Sequence, residues 1–201
     1  MKKIILLLSV AGFLLQALDI KDIYAKSYNY EKSYNYAEAI KVLIPLYEKY
    51  KHGYTINLRL GWLFFLNKRY KNAIKHYKEA LLVAPKSMEA YLGLLRSYLM
   101  IGDIQNAIAT GSVIVKIDYY NYYGNYYLLK ALKRKKEYAT AAAIANKMLQ
   151  LYPTSILYLE ALADITKIKE PQKAKEIYRN ILILDPNNVA AKAALLTQIL
   201  Q

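Results

Sequence analysis

Residues 54–87 read YTINLRLGWLFFLNKRYKNAIKHYKEALLVAPKS. Leu60, Gly61 and Phe64 fall at helical spacing and form one apolar face. Gly61 and Ala73 are small, as two helices that cross closely require. Tyr77 and Ala80 continue the inward stripe of a second helix. Pro85 ends that helix, because proline cannot continue it from the preceding turn. The polar stretch NKRYKN between the two helices makes a short turn. The segment predicts a helix–turn–helix unit.

The same unit recurs outward in both directions. Ala39, Ala73, Ala107, Ala141 and Ala174 sit in similar settings, at steps of 34, 34, 34 and 33 residues. Pro85, Pro153 and Pro186 each follow one of these alanines by twelve residues. Residues 88–121 keep Tyr91, Leu94, Leu95, Tyr98, Gly102 and Ala107, but carry Gly111 at the Tyr77 position and Tyr119 at the proline position. Residues 122–155 keep Leu128, Leu129, Tyr138, Ala141 and Pro153. Residues 156–188 keep Leu162, Ala163, Ala174, Tyr178 and Pro186. The first unit, about 20–53, is weakest in its first helix, and Pro45 should kink its second, Tyr36 to Lys51.

This pattern resembles the tetratricopeptide repeat (TPR) family, whose 34-residue unit is a helix–turn–helix. The resemblance covers about residues 26–188. It implies an all-α fold: a right-handed superhelical solenoid of about five units, closed by a capping helix over 189–201. Asn187 or Asn188 should cap the start of that helix. The cap is apolar for a terminal repeat, with Val189, Leu195, Leu196 and Ile199, which points to a second contact surface or dimerisation.

In TPR proteins the first helices of successive units line a concave groove that holds a peptide. Carried over by register, the resemblance makes Leu58, Trp62, Phe65 and Leu66 an apolar stretch of groove. Arg96 follows in the next unit, and Tyr123, Tyr126, Lys130, Lys133 and Arg134 in the one after. The expected partner is a protein or peptide with apolar anchors and a nearby carboxylate. The competing reading packs Trp62 and Phe65 against a neighbouring unit or the N-terminal helix, and leaves Lys130–Lys136 as a solvated turn. The full Asn and Lys pattern of the TPR carboxylate clamp is absent.

Residues 1–25, MKKIILLLSVAGFLLQALDIKDIYA, follow the plan of a secretory signal peptide: a basic start, an apolar run from Ile4 to Leu15, and a small residue at Ala25. Cleavage after Ala17 and retention as a membrane anchor are the alternatives. The expectation is an exported, periplasmic or envelope-associated bacterial protein, with membrane association through this segment if it is retained.

Composition removes other function classes. With no Cys there is no disulfide, thiolate metal site or cysteine nucleophile. His52 and His76 lie in different units, and no phosphate-binding or nucleophile-elbow motif is present. Glu160 and Asp164 share a helix face, as acids four apart commonly do on solvated helices. The chain is expected to be non-enzymatic and to need no cofactor. The formal net charge of +14 raises a second class, binding of a polyanion such as nucleic acid, anionic lipid or cell-wall polymer. Nucleic acid is not expected, because export would remove the chain from it. Of the 22 Tyr, several fill packing positions, while Tyr24–Tyr36 and Tyr119–Tyr127 exceed that need. The polar–aromatic alternation in these clusters suits a strand, but both lie in phase with helix starts of the period, so helices are expected.

Overall fold

The computed structural model describes residues 19–197, and the described residues are helical with no strand. The first unit has α1 over residues 19–32, a full helix where the sequence pattern is weakest. Its second helix is broken into α2 (Tyr36–Lys41) and α3 (Ile44–Lys49). The break falls where Pro45 lacks the N–H that would bind back to the preceding turn. The pairs α4 (Tyr54–Leu66) and α5 (Tyr70–Val83), α6 (Met88–Ile101) and α7 (Ile104–Ile117), α8 (Tyr122–Arg134) and α9 (Tyr138–Leu151), and α10 (Ile156–Thr166) and α11 (Pro171–Leu184) follow. Then comes α12 (Val189–Thr197). The segment 1–25 lies outside the described residues up to residue 18, and residues 19–25 are part of α1. Among the described residues no helix is long and apolar enough to cross a membrane. The chain falls into two compact units that part after Ser97, within α6.

One turn recurs. Tyr34, Lys68, Gly102 and Lys136 all have positive φ, between 59° and 76°, and stand one period apart. In each case the next residue donates its N–H five residues back: Asn35 to Tyr30, Arg69 to Phe64, Asp103 to Tyr98 and Glu137 to Leu132. This is a Schellman closure of the first helix of each pair. Three of the four residues are not glycine, at a cost of roughly 1 kcal/mol each. The turn after α10 lacks the left-handed residue, and there the period shortens to 33. Second signals come from caps: Asn121 accepts from Gly124 N at 2.8 Å, and Asn188 from Ala191 N at 2.8 Å.

In the first compact unit the core gathers Leu43, Leu60, Leu63, Phe64, Ala73 and Ala80. Tyr77 is 3% exposed and wedged between α4 and α6. A Cβ on Gly61 would lie 2.8 Å from its ring, and one on Gly93 2.2 Å. Gly61 is therefore small to admit a ring. In the second unit Ile114 meets Gly124 in the same way, at 2.3 Å, and Gly111 makes room for Leu128. There Tyr158, fully buried, is the aromatic centre, with Tyr122 and Tyr126 edge-on at 5.3 and 6.1 Å. At the C-terminal end Ala191 of α12 completes a core with Ala163, Ala174, Tyr178 and Ile181, while Val189 and Leu196 stay exposed.

Buried polar ties repeat at every second unit. Asn57 donates to the carbonyls of Lys51 and Gly53, at 2.7 and 2.9 Å. Asn125, two periods on, donates to those of Tyr119 and Asn121, at 3.0 and 2.9 Å. The Tyr54 and Tyr122 hydroxyls pair likewise with Ser87 and Ser155, at 2.9 and 2.7 Å. Both amide hydrogens of Asn57 are used, so its oxygen accepts from His76 Nδ1 at 2.8 Å. His76 is stacked on Phe64 and edge-on to Tyr47. Burial, helped by Lys75 and opposed by Glu79, lowers its pKa to about 4.

His76 therefore folds neutral. Its contribution to stability is complete above the ordinary histidine pKa and is lost as pH falls from about 6.5 toward 4, by up to about 3 kcal/mol. Urea unfolding across that range should show a steeper loss in the wild type than in His76→Gln. Equal slopes would refute the assignment.

Candidate functional site

The outward face of α4 presents Thr55, Leu58, Trp62 and Leu66, at the spacing that keeps residues on one helical face. Opposite them α1 presents Tyr24, Tyr28 and Glu31, the first turn adds Tyr34, and the start of α2 adds Tyr36. Together they enclose an open cavity of about 820 Å³, largely walled by aromatic rings. A smaller pocket of about 320 Å³ adjoins it. Leu58 and Trp62 line both, and α5 and α6 supply Tyr77, Leu92 and Arg96 to the smaller one.

A buried charge pair fixes these walls. Arg59 is only 7% exposed, and its Nη1 donates to Glu31 Oε2. Nη2 donates to Ser27 Oγ at 3.1 Å, and Ser27 Oγ in turn donates to the Ala39 carbonyl at 3.0 Å. The guanidinium lies 3.8 Å from the centre of the Tyr28 ring. Glu31 Oε1 accepts from Trp62 Nε1 at 2.6 Å. One carboxylate thus holds both the buried cation and the indole. Burial and the neighbouring Tyr28 raise the Tyr24 pKa, and Arg59 opposes them, so Tyr24 is a neutral hydroxyl at the rim.

Trp62 and Phe65 stack with ring centres 6.3 Å apart and planes 13° from parallel. The Arg96 guanidinium lies 4.3 Å from the Phe65 centre and 5.4 Å from that of Trp62. The first compact unit therefore brings Leu58, Trp62, Phe65, Leu66 and Arg96 together. Trp62 also contacts the N-terminal helix through Glu31, as the competing reading had it. Its indole remains part of both cavity walls.

In the second unit the candidates divide. Lys133 pairs with Asp164 at 2.6 Å, and Asp164 also accepts from the Tyr178 hydroxyl at 2.9 Å. Arg134 donates to the Leu99 carbonyl. Lys130 lies 5.3 Å from the Tyr126 ring centre, and burial followed by repulsion from Arg134 and Lys133 lowers its pKa. Tyr126 is half-buried against Tyr158, and Tyr123 is 55% exposed. Lys147 accounts for part of the second tyrosine cluster. It donates to Asn125 Oδ1 at 2.6 Å and lies 3.9 Å from the Tyr119 ring centre. Glu160 accepts from Asn188 at 2.8 Å, so both acids of the α10 pair serve structural contacts. Among the described residues no group of His, Asp and Glu has metal-holding geometry.

Sequence reasoning missed Glu31, Ser27, Arg59 and Tyr77 as members of the site. The signal for α1 lay in the surplus of tyrosines at Tyr24–Tyr36. For Arg59, the signal was a charge one residue off the core stripe of α4.

The profile of the tetratricopeptide repeat family matches residues 24–84 and 69–122. Mouse tetratricopeptide repeat protein 21A is 24% identical over 113 residues, which are 56% of this chain and 9% of that protein. The chain thus spans a small fraction of that relative. Among solved structures, MamA residues 41 to the end from Desulfovibrio magneticus RS-1 superposes with a TM-score of 0.77 at 17% identity. That likeness covers 85% of this chain and 97% of the other. A tetratricopeptide repeat protein from Parabacteroides merdae gives 0.80 at 15% identity, over 88% and 71%. YrrB, described as a TPR protein with an unusual peptide-binding site, gives 0.71 at 13% identity, over 86% and 89%. Identities this low establish the shared fold.

Removing one partner of a buried pair strands the other's charge. Glu31→Ala should cost about 3 kcal/mol in urea unfolding. It should also shift the emission of Trp62, the only Trp. A loss within a few tenths of a kcal/mol would show that Arg59 does not depend on Glu31.

Proposed function

Because this chain belongs to the tetratricopeptide repeat family, we propose that it is a non-enzymatic scaffold. It binds an extended protein segment on the face built by α1, α4 and α6. The observation that carries this reading is Trp62: it forms the ridge between two open cavities and lies beneath Arg96. Large apolar rings at a cavity wall, bordered by an arginine, are the usual composition of a binding hot spot. The fold shared with YrrB, whose site is described as binding peptide, supports the same class of ligand. The polyanion alternative has less support, since Arg59, Lys133 and Arg134 are committed to partners within the chain.

The double variant Trp62→Ala, Phe65→Ala should lose at least about tenfold in recovery of the partners that wild type captures by cross-linking in its own cells. Circular dichroism controls for folding. Undiminished recovery by a folded variant would dispose of the groove.

We propose further that the chain works outside the cytoplasm, within a bacterial cell-envelope complex. The support is Lys2-Lys3 followed by the uncharged run Ile4–Leu15. Fractionation with N-terminal sequencing should place the protein in the envelope or periplasm, starting at Lys26 or Leu18. An intact Met1 in the cytoplasm would reject export.

A further inference from the structure

The face described above contains a polar group that reaches it from the opposite layer of helices. Tyr77 is rooted in α5, on the far side of α4 and α6, and its ring passes through the gap left by Gly61 and Gly93. The far end of the ring lines the smaller pocket beside Leu58, Trp62, Leu92 and Arg96. Two other buried tyrosine hydroxyls are bonded: Tyr158 donates to the Tyr122 carbonyl at 2.6 Å, and Tyr178 to Asp164. The Tyr77 hydroxyl makes no hydrogen bond among the described residues, although the residue is 3% exposed. The ring is buried, but the hydroxyl oxygen is not sealed off: it opens into the pocket. Burial raises its pKa, and Arg96 acts in the opposite direction, so the hydroxyl keeps its proton as a donor next to a cation. Glu89 lines the same pocket from two turns away on α6, about 10 Å by helical rise, and takes a 3.4 Å hydrogen bond from Tyr54.

We infer that Tyr77 determines specificity: with Arg96 it receives the carboxylate of an Asp or Glu side chain in the bound segment. This rests on the groove reading. A hydroxyl donor beside a guanidinium, with apolar walls around both, suits an anion that arrives on an apolar stem. Glu89 repels the anion from the other end and fixes it at Arg96. The acid is a side chain within the segment, not its C-terminus, because the pocket is not blind. Leu58 and Trp62 open it onto the larger cavity, so the chain crosses the Trp62 ridge and lays an apolar residue among the tyrosines.

The test uses the purified protein and fluorescein-labelled, C-amidated Gly/Ser nonapeptides. Each carries one Phe and one Asp one to four residues apart, and a matched pool has Asn for Asp. Fluorescence polarisation should show the Asp pool binding wild type at least about tenfold more tightly than the Asn pool. Tyr77→Phe keeps the ring in its slot and removes only the hydroxyl. It should melt as wild type does and cut the Asp-over-Asn preference about tenfold. An unchanged preference in Tyr77→Phe overturns the proposal while leaving the groove standing. Binding that survives Trp62→Ala undiminished overturns the groove itself. Failure of both pools to bind overturns both.

Discussion

A left-handed residue closes the first helix of four successive pairs, at positions 34, 68, 102 and 136. Everything else in the fold depends on this turn. It fixes where the second helix starts, and so which residue of α5 meets which residue of α4. Side-chain preference did not choose these positions, since Tyr34, Lys68 and Lys136 adopt a conformation that glycine takes more readily. The packing of each pair outweighs the local cost. Where the turn is lost, after α10, the chain drops one residue and still delivers Ala174 and Tyr178 to the core.

With the helix pairs held in this register, packing becomes a matter of matching large to absent. Tyr77 fills the space over Gly61 and Gly93, and Ile114 the space over Gly124. This exchange explains why one unit tolerates Gly111 where another has Tyr77. The bulk is not conserved at one position; it moves to the facing helix as Leu128. The buried Asn57 and Asn125 then tie α4 and α8 to the loops before them, through the carbonyls of Lys51 and Tyr119.

The register was legible in the sequence because small and aromatic residues recur at fixed steps, and periodicity survives the loss of any one of them. The break near Pro45 and the cap by Asn188 were legible for the same reason: each is a local device with its own residue chemistry. The partners of the site were not. Glu31 and Arg59 are 28 residues apart, and nothing in either marks it among the other charges of a basic chain. Asn57 and His76 were equally anonymous, and Lys147 gave no sign of reaching Tyr119. Periodicity predicts which face a residue occupies. It does not predict which charge on that face will lose its water.

Two arginines of the first compact unit show how much that difference matters. The Arg59 fork is consumed by Glu31 and Ser27, its face is covered by Tyr28, and its Nε has no hydrogen-bond partner among the described residues. Such a group holds α1 against α4 and has little left to offer a ligand. Arg96 presents its flat face to Phe65 and Trp62. Stacking uses the π surface of a guanidinium and directs its N–H groups toward polar partners in the plane. A weakly hydrated cation oriented by rings loses less on binding an anion than a mobile, fully hydrated lysine would. On the groove reading proposed above, the same residue type serves cohesion in one place and recognition in the other.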